Sequence, residues 1–289
     1  MPRARPLRRL FLPAGHRPPI LRAEVALNLG PSKAKVERAF EHLRVLEAEM
    51  PVYIEQNSPY AIRLSEIDQD GWCTLTMVPD EPVKPRFGIV LGDVMHNLRS
   101  ALDYIVTALC DRSGVPVTTR HEFPIFANAN LYRKKVGTAS AAAATGPLGG
   151  VTVGLGLVDQ CQPYHRNNDA RLDPLWHVYR FNNADKHRLP PFLLAFPTGK
   201  INYRFNGTLV EKEEVEEVVS WTPEKEFDIA RLRFDPPVVR NFRVDGPMTL
   251  HAGFLTPPIK AEPEHSISLS LLRKTCSHVS TLVKLVEQI

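Results

Sequence analysis

Cysteine is scarce in this chain, and the four present, Cys73, Cys110, Cys161 and Cys276, form no Cys-x-x-Cys pair. That spacing excludes a zinc ribbon and fits reduced thiols in a cytoplasmic protein better than a disulfide scaffold. Long apolar runs are lacking as well: none approaches the roughly 20 residues that a membrane helix needs, so no membrane span is expected. A glycine-rich nucleotide fingerprint is also missing. Gly154-x-Gly156 stands alone, with neither the third glycine of a dinucleotide loop nor a following Gly-Lys-Thr, so it says little about phosphate.

A basic body is lacking too, despite a net charge of +4 over 289 residues. Arg3, Arg5, Arg8, Arg9, Arg17 and Arg22 all precede the first acidic residue, Glu24, and without those six arginines residues 23–289 carry −2. Any nucleic-acid contact by the body would therefore be local. Residues 1–22 also hold Pro2, Pro6, Pro13, Pro18 and Pro19, which suit neither helix nor sheet and predict a disordered basic tail. Residues 23–289 are expected to form one α+β domain.

What is present is hydrophobic periodicity of two kinds. Val36, Ala39, Phe40, Leu43 and Leu46 recur at helical spacing and predict a helix over 33–50. Strand-like pieces follow at 52–56, 61–67 and 72–78, the last two joined by an Asp70-Gly71 turn. A long helix is expected over 87–111, ending at Ser113-Gly114, with Val94, Leu98, Ala101, Leu102, Ile105 and Leu109 on one face. Asp93, Asn97, Ser100, Tyr104 and Thr107 fall on the opposite face, and His96, Arg99 and Asp103 lie along its edge. Residues 123–126 read as extended, and the Ala-, Gly- and Thr-rich stretch 137–156 as a mobile loop or lid. Asp173-Pro174 opens a further helix that ends before Pro190-Pro191.

A strand-rich stretch runs from Phe192 to Leu255 and includes the alternating run 227–234 and an Asp245-Gly246 turn. The acidic residues between Glu211 and Glu217 suit an exposed edge. A last helix covers 266–288. Helices and strands are segregated, which predicts an α+β fold: a bundle-like core of about four helices with antiparallel sheet or hairpins.

Chemistry is densest between Trp176 and Arg188. Arg180 and His187 are separated by about 700° of helical rotation, about 20° short of two turns, so Trp176, Arg180, Asn183 and His187 share one line. That line faces away from Leu175, Val178 and Phe181. An arginine followed four to six residues later by a histidine on one helix of a bundle resembles the HEPN superfamily, many of whose members are metal-independent ribonucleases. Three other Arg–His pairs have such spacing. Arg9/His16 lies in the tail, Arg171/His177 is broken by Pro174, and Arg273/His278 is about 140° apart around its helix.

The resemblance implies His187 as general base toward a ribose 2′-hydroxyl, Arg180 as stabiliser of charge on the scissile phosphate, and Asn183 as an orienting group. It also implies RNA as a partner and a homodimer with its site where two protomers meet. The family usually places a polar residue directly after the arginine; here it is Phe181.

The runs Gly92–Asp103, Gln162–Arg166 and Asn183-x-Asp185-Lys186-His187-Arg188 together resemble a group of uncharacterised, mostly actinobacterial proteins, which brings no function with it. Physically, His96, Arg99 and Asp103 could pair with the Asp185, Lys186 and Arg188 corner as a supporting polar network. His96, Asp103, His165, Asp185 and His187 are metal-ligand types, but no helix carries His-x-x-x-His or His-Glu-x-x-His, so no metal or cofactor is expected. The alternative to the ribonuclease is a non-catalytic binding or scaffold protein in which the Arg, His and Asp residues are architecture.

Overall fold

The computed structural model of the protein describes residues 26–57, 60–79, 85–137, 144–166, 169–187, 192–197, 203–214, 226–244, 250–256 and 265–289. The basic tail, the Asp245-Gly246 turn and Arg188 lie outside the described residues.

The first helix, α1 (Gly30–Asn57), runs straight through Pro51 and absorbs the strand expected at 52–56. The reason is visible in its buried stripe. Val36, Ala39, Leu43, Leu46, Met50 and Ile54 are all buried on one side, so the helical repeat continues past the proline and overrides its local cost. A hairpin follows, β1 (Tyr60–Leu64) and β2 (Trp72–Pro79). Its turn uses Asp68, whose carboxylate accepts from the N–H groups of Asp70 and Trp72 at 2.9 Å each. Gly71 has φ of 85°, and a side chain there would meet the Phe234 carbonyl oxygen at 2.3 Å, so only glycine fits.

The long helix α2 (Arg86–Ser113) is the central element, capped by Gly114 in the left-handed conformation. It packs against α1, against α5 (Pro174–His187) and against α6 (Leu269–Val286). Burial on so many sides explains why its expected polar face is not simply solvated. Asn97 and Arg99 are buried, Asn97 donates to the Asp93 carbonyl at 2.7 Å and Lys35 reaches Asn97 at 3.2 Å. Ser32 of α1 donates to the Ala101 carbonyl at 2.8 Å, a close approach at a small residue.

Two short helices, α3 (Ala129–Val136) and α4 (Leu155–Gln160), join the helical core through Tyr132, Val136, Leu155 and Val158. The stretch read as a mobile lid is different where it is described: Leu148, Val151 and Leu155 are buried in the helical core. Apolar residues spaced irregularly among glycines escaped the periodicity, yet they fill the core.

The sheets are antiparallel and of two kinds. β3 (Phe192–Pro197), β8 (Leu250–Thr256) and β9 (His265–Ser268) form a three-stranded sheet in the order β3-β8-β9. It joins the helical core through Phe254 and Ile267. The hairpin β1-β2 continues through β6 (Phe227–Phe234) to β5 (Leu209–Glu214) in a four-stranded sheet, and β4 (Tyr203–Asn206) pairs with β7 (Arg240–Val244). These strands share a separate hydrophobic cluster of Cys73, Leu75, Ala230, Leu232 and Phe234, with Phe205 and Phe242 packed against it. Strand β5 is an edge, and Glu211, Lys212 and Glu213 on it are exposed, which discourages pairing with another sheet. The architecture is α+β, as the segregation of elements predicts. No helix among the described residues is long and apolar enough to cross a membrane.

Candidate functional site

The site begins with a backbone segment that belongs to neither helix nor sheet. Residues Glu122–Phe126 connect α2 and α3 without regular structure, and their polar groups need partners that a regular element would have supplied. Two side chains provide them. Asp103 accepts from the Phe123 N–H at 2.8 Å. Gln162, only 1% exposed, accepts from the Phe126 N–H at 3.0 Å and donates to the carbonyls of Pro124 at 2.8 Å and Val158 at 2.9 Å.

Arg99 locks the near end of the same segment. Its guanidinium meets Asp103 at 3.0 Å, one turn along α2, and Glu122 at 3.0 Å. Arg99 thus pairs with both Asp103 and Glu122, while the Asp185, Lys186 and Arg188 side chains, which His96, Arg99 and Asp103 are expected to meet, lie outside the described residues. His96 is exposed and makes no hydrogen bond among the described residues.

Helix α5 forms the opposite wall. Asp173 caps it as the sequence predicts, accepting from the Leu175 N–H at 2.8 Å. Its other carboxylate oxygen accepts from Arg166 at 2.9 Å. The helix is buried almost all round: Leu175, Trp176, His177, Val178, Arg180, Phe181, Asn182 and Ala184 are all buried. This explains why its polar line is not a solvated stripe. Arg180 is 2% exposed. The backbone of Asp185, Lys186 and His187 belongs to α5, but their side chains lie outside the described residues.

Between these walls opens a cleft of about 530 Å³, lined among others by Arg99, Glu122, Phe126, Trp176, Tyr179, Asn182 and Asn183. Trp176 and Tyr179 are stacked, with centroids 5.1 Å apart and planes at 30°. Of the residues the sequence singles out, Arg99, Trp176 and Asn183 line this cleft and Arg180 does not. Asn182, Tyr179 and Phe126 are the residues that sequence reasoning missed. Asn182 was hidden by its place next to Asn183 on what reads as the apolar side of the helix.

A second polar group lies behind α5, around Asp173. His177 is 1% exposed, and burial pushes it from 6.5 down to about 4, with Asp173 opposing. Burial also lowers His278, again opposed by Asp173, and its Nε2 is buried with no hydrogen-bond partner among the described residues. Both histidines are therefore neutral near pH 7. Burial lifts the thiols of Cys161 and Cys276 to about 12, which suits core packing and not nucleophilic attack. Near α4, Tyr164 donates to Asp159, and His165 lies 3.6 Å from the same carboxylate. Among the described residues no three His, Cys, Asp or Glu side chains converge as a metal site would require.

Compared with known proteins, the chain matches no family model, no curated protein and no solved structure.

Proposed function

We propose that this protein binds a ligand without cleaving it, that the cleft between α2 and α5 is where it does so, and that the surrounding Arg, His and Asp groups are the frame of that cleft. One observation carries the reading. Arg180, the group a phosphodiesterase would turn toward a scissile phosphate, is buried and absent from the cleft wall. A guanidinium acts on a developing charge only where that charge can reach it. Arg99, the arginine that does line the cleft, is already held by Asp103 and Glu122.

A second reading has its own support. Asn183 opens onto the cleft and lies on α5 between Arg180 and His187, about one turn from each. In a metal-independent ribonuclease similar to the HEPN proteins, Asn183 would orient RNA at that mouth. His187 would take the 2′-hydroxyl proton and Arg180 would steady the phosphate across a homodimer interface. The supporting network of His96, Arg99, Asp103, Asp185, Lys186 and Arg188 would then hold these groups in place.

Incubating RNA with the wild type, Arg180→Ala and His187→Ala, in EDTA and then with Mg²⁺ or Zn²⁺, separates the two readings. The binding reading expects RNA to remain intact in every arm. Cleavage in EDTA that vanishes in both variants, with circular dichroism unchanged, would overturn it in favour of the ribonuclease.

A further inference from the structure

The chemistry of the cleft narrows its ligand, and this inference rests on the binding reading above. Asn182 is 4% exposed, yet its side-chain amide lines the cleft and makes no hydrogen bond among the described residues. Asn183 beside it is half-buried, and its amide is likewise without a partner there. Neither amide is among the fully enclosed polar groups without a partner, so both open onto the space of the cleft, where a ligand can reach them. Two adjacent amides open to one cavity, neither held by a protein partner among the described residues, are free to pair with a ligand there.

Three further features fix its class. The same wall carries the stacked Trp176 and Tyr179 rings, and Phe126 faces the cleft from the connection between α2 and α3. Aromatic faces of this kind take a flat ring. Each carboxamide offers one acceptor and two donors, which matches a ring edge that presents a donor beside an acceptor, as a nucleobase edge does. The charge argues against phosphate. Among the described residues no lysine and no arginine other than Arg99 lines the cleft, and Arg99 is engaged by two carboxylates, so the Arg99–Asp103–Glu122 group carries net −1. The volume of about 530 Å³ lies within the range of small-molecule sites.

We infer that the cleft is a binding site for a nucleobase, with the ring against the aromatic wall, its polar edge on Asn182 and Asn183, and no phosphate subsite among the described residues. The base could arrive as a free nucleoside or within a single strand of RNA, and the chemistry is the same.

Calorimetric titration of the full chain with the four ribonucleosides, their 5′-monophosphates and a short single-stranded RNA tests this, with Asn182→Leu and Asn183→Ala as variants. Asn182→Leu keeps the number of side-chain heavy atoms and removes the amide, and circular dichroism checks that each variant keeps the fold. At least one nucleoside is expected to bind saturably, its monophosphate no more tightly, with a loss of about tenfold in each variant, the effect of one hydrogen bond. Binding of the RNA but of no nucleoside, with the same loss in the variants, supports the site and assigns its ligand to a strand. No binding of any probe at millimolar concentration, binding unchanged in both variants, or a monophosphate bound far more tightly than its nucleoside would overturn the inference. RNA cleavage alongside nucleoside binding would sink the non-catalytic reading alone and leave the base site standing.

Discussion

In the helical region Asn97, Arg99, Gln162, Asp173, His177, Arg180 and Asn182 are all buried. In the four-stranded sheet the charged groups stay outside. There Arg63 pairs with Glu226, Arg231 with Glu213 and Arg233 with Glu211, every one of these side chains at least 46% exposed. The sheet has a small apolar cluster that excludes polar side chains, whereas the helical core is threaded by them. Burying a polar group is unfavourable unless something offsets it, so the helical region is where a functional constraint has most to explain. The sheet asks only for a stable surface.

The contrast can be broken first at the cores. Leu98→Ala in α2 is expected to cost about 2–5 kcal/mol, and Phe234→Ala in β6 about 3–5 kcal/mol. Because the two residues belong to separate clusters, hydrogen exchange should show each loss of protection confined to its own region. Loss spread equally over both would mean that the two cores unfold as one.

Protons sharpen the contrast next. The folded pKa of His177 is depressed to about 4 from 6.5. Neutral histidine is therefore favoured by the fold, and the full contribution is present above the unfolded value. As pH falls from 6.5 toward 4 the unfolded chain binds the proton first, and stability is lost, by about 3 kcal/mol at the lower end. His278 is shifted in the same direction and adds to the loss. Denaturant titrations between pH 7 and 4 should show the decline, and His177→Phe should flatten it.

Polar truncations give smaller effects. Gln162→Leu strands the Phe126 N–H and the Pro124 carbonyl, costing about 1–3 kcal/mol for each group left unpaired. It should also loosen the cleft wall, visible as faster exchange at residues 123–126. At the bottom of the scale, Arg231→Ala on the sheet surface is expected to change stability by less than about 1 kcal/mol, because exposed ion pairs contribute little. A sheet-surface variant as costly as Gln162→Leu in urea unfolding would erase the distinction between the regions.

How far the sequence reveals this arrangement follows the same division. Strong periodicity located α2 and α6 closely, and Asp173-Pro174 marked the start of α5. Residues 52–56 misled because β-branched and aromatic side chains beside Pro51 look like a strand locally, while their place in the core is set by the stripe from Leu46 through Met50 to Ile54. Arg99 and Asp103 were legible as a helix pair, but their partner Glu122 was not, since nothing local ties residue 99 to residue 122. Asn182 was invisible for a related reason. Its importance lies in an unmet hydrogen bond, which is a property of the packed structure and of no residue pattern.

That unmet bond offers the most direct measurement: the unfolding free energy of Asn182→Leu without any ligand. If the amide is held open to the cleft for a ligand and does no work in the fold, replacing it with Leu should leave stability unchanged or raise it by up to about 1 kcal/mol. A loss of stability would mean that the amide serves the fold, and would contradict the claim that this cleft is built to bind.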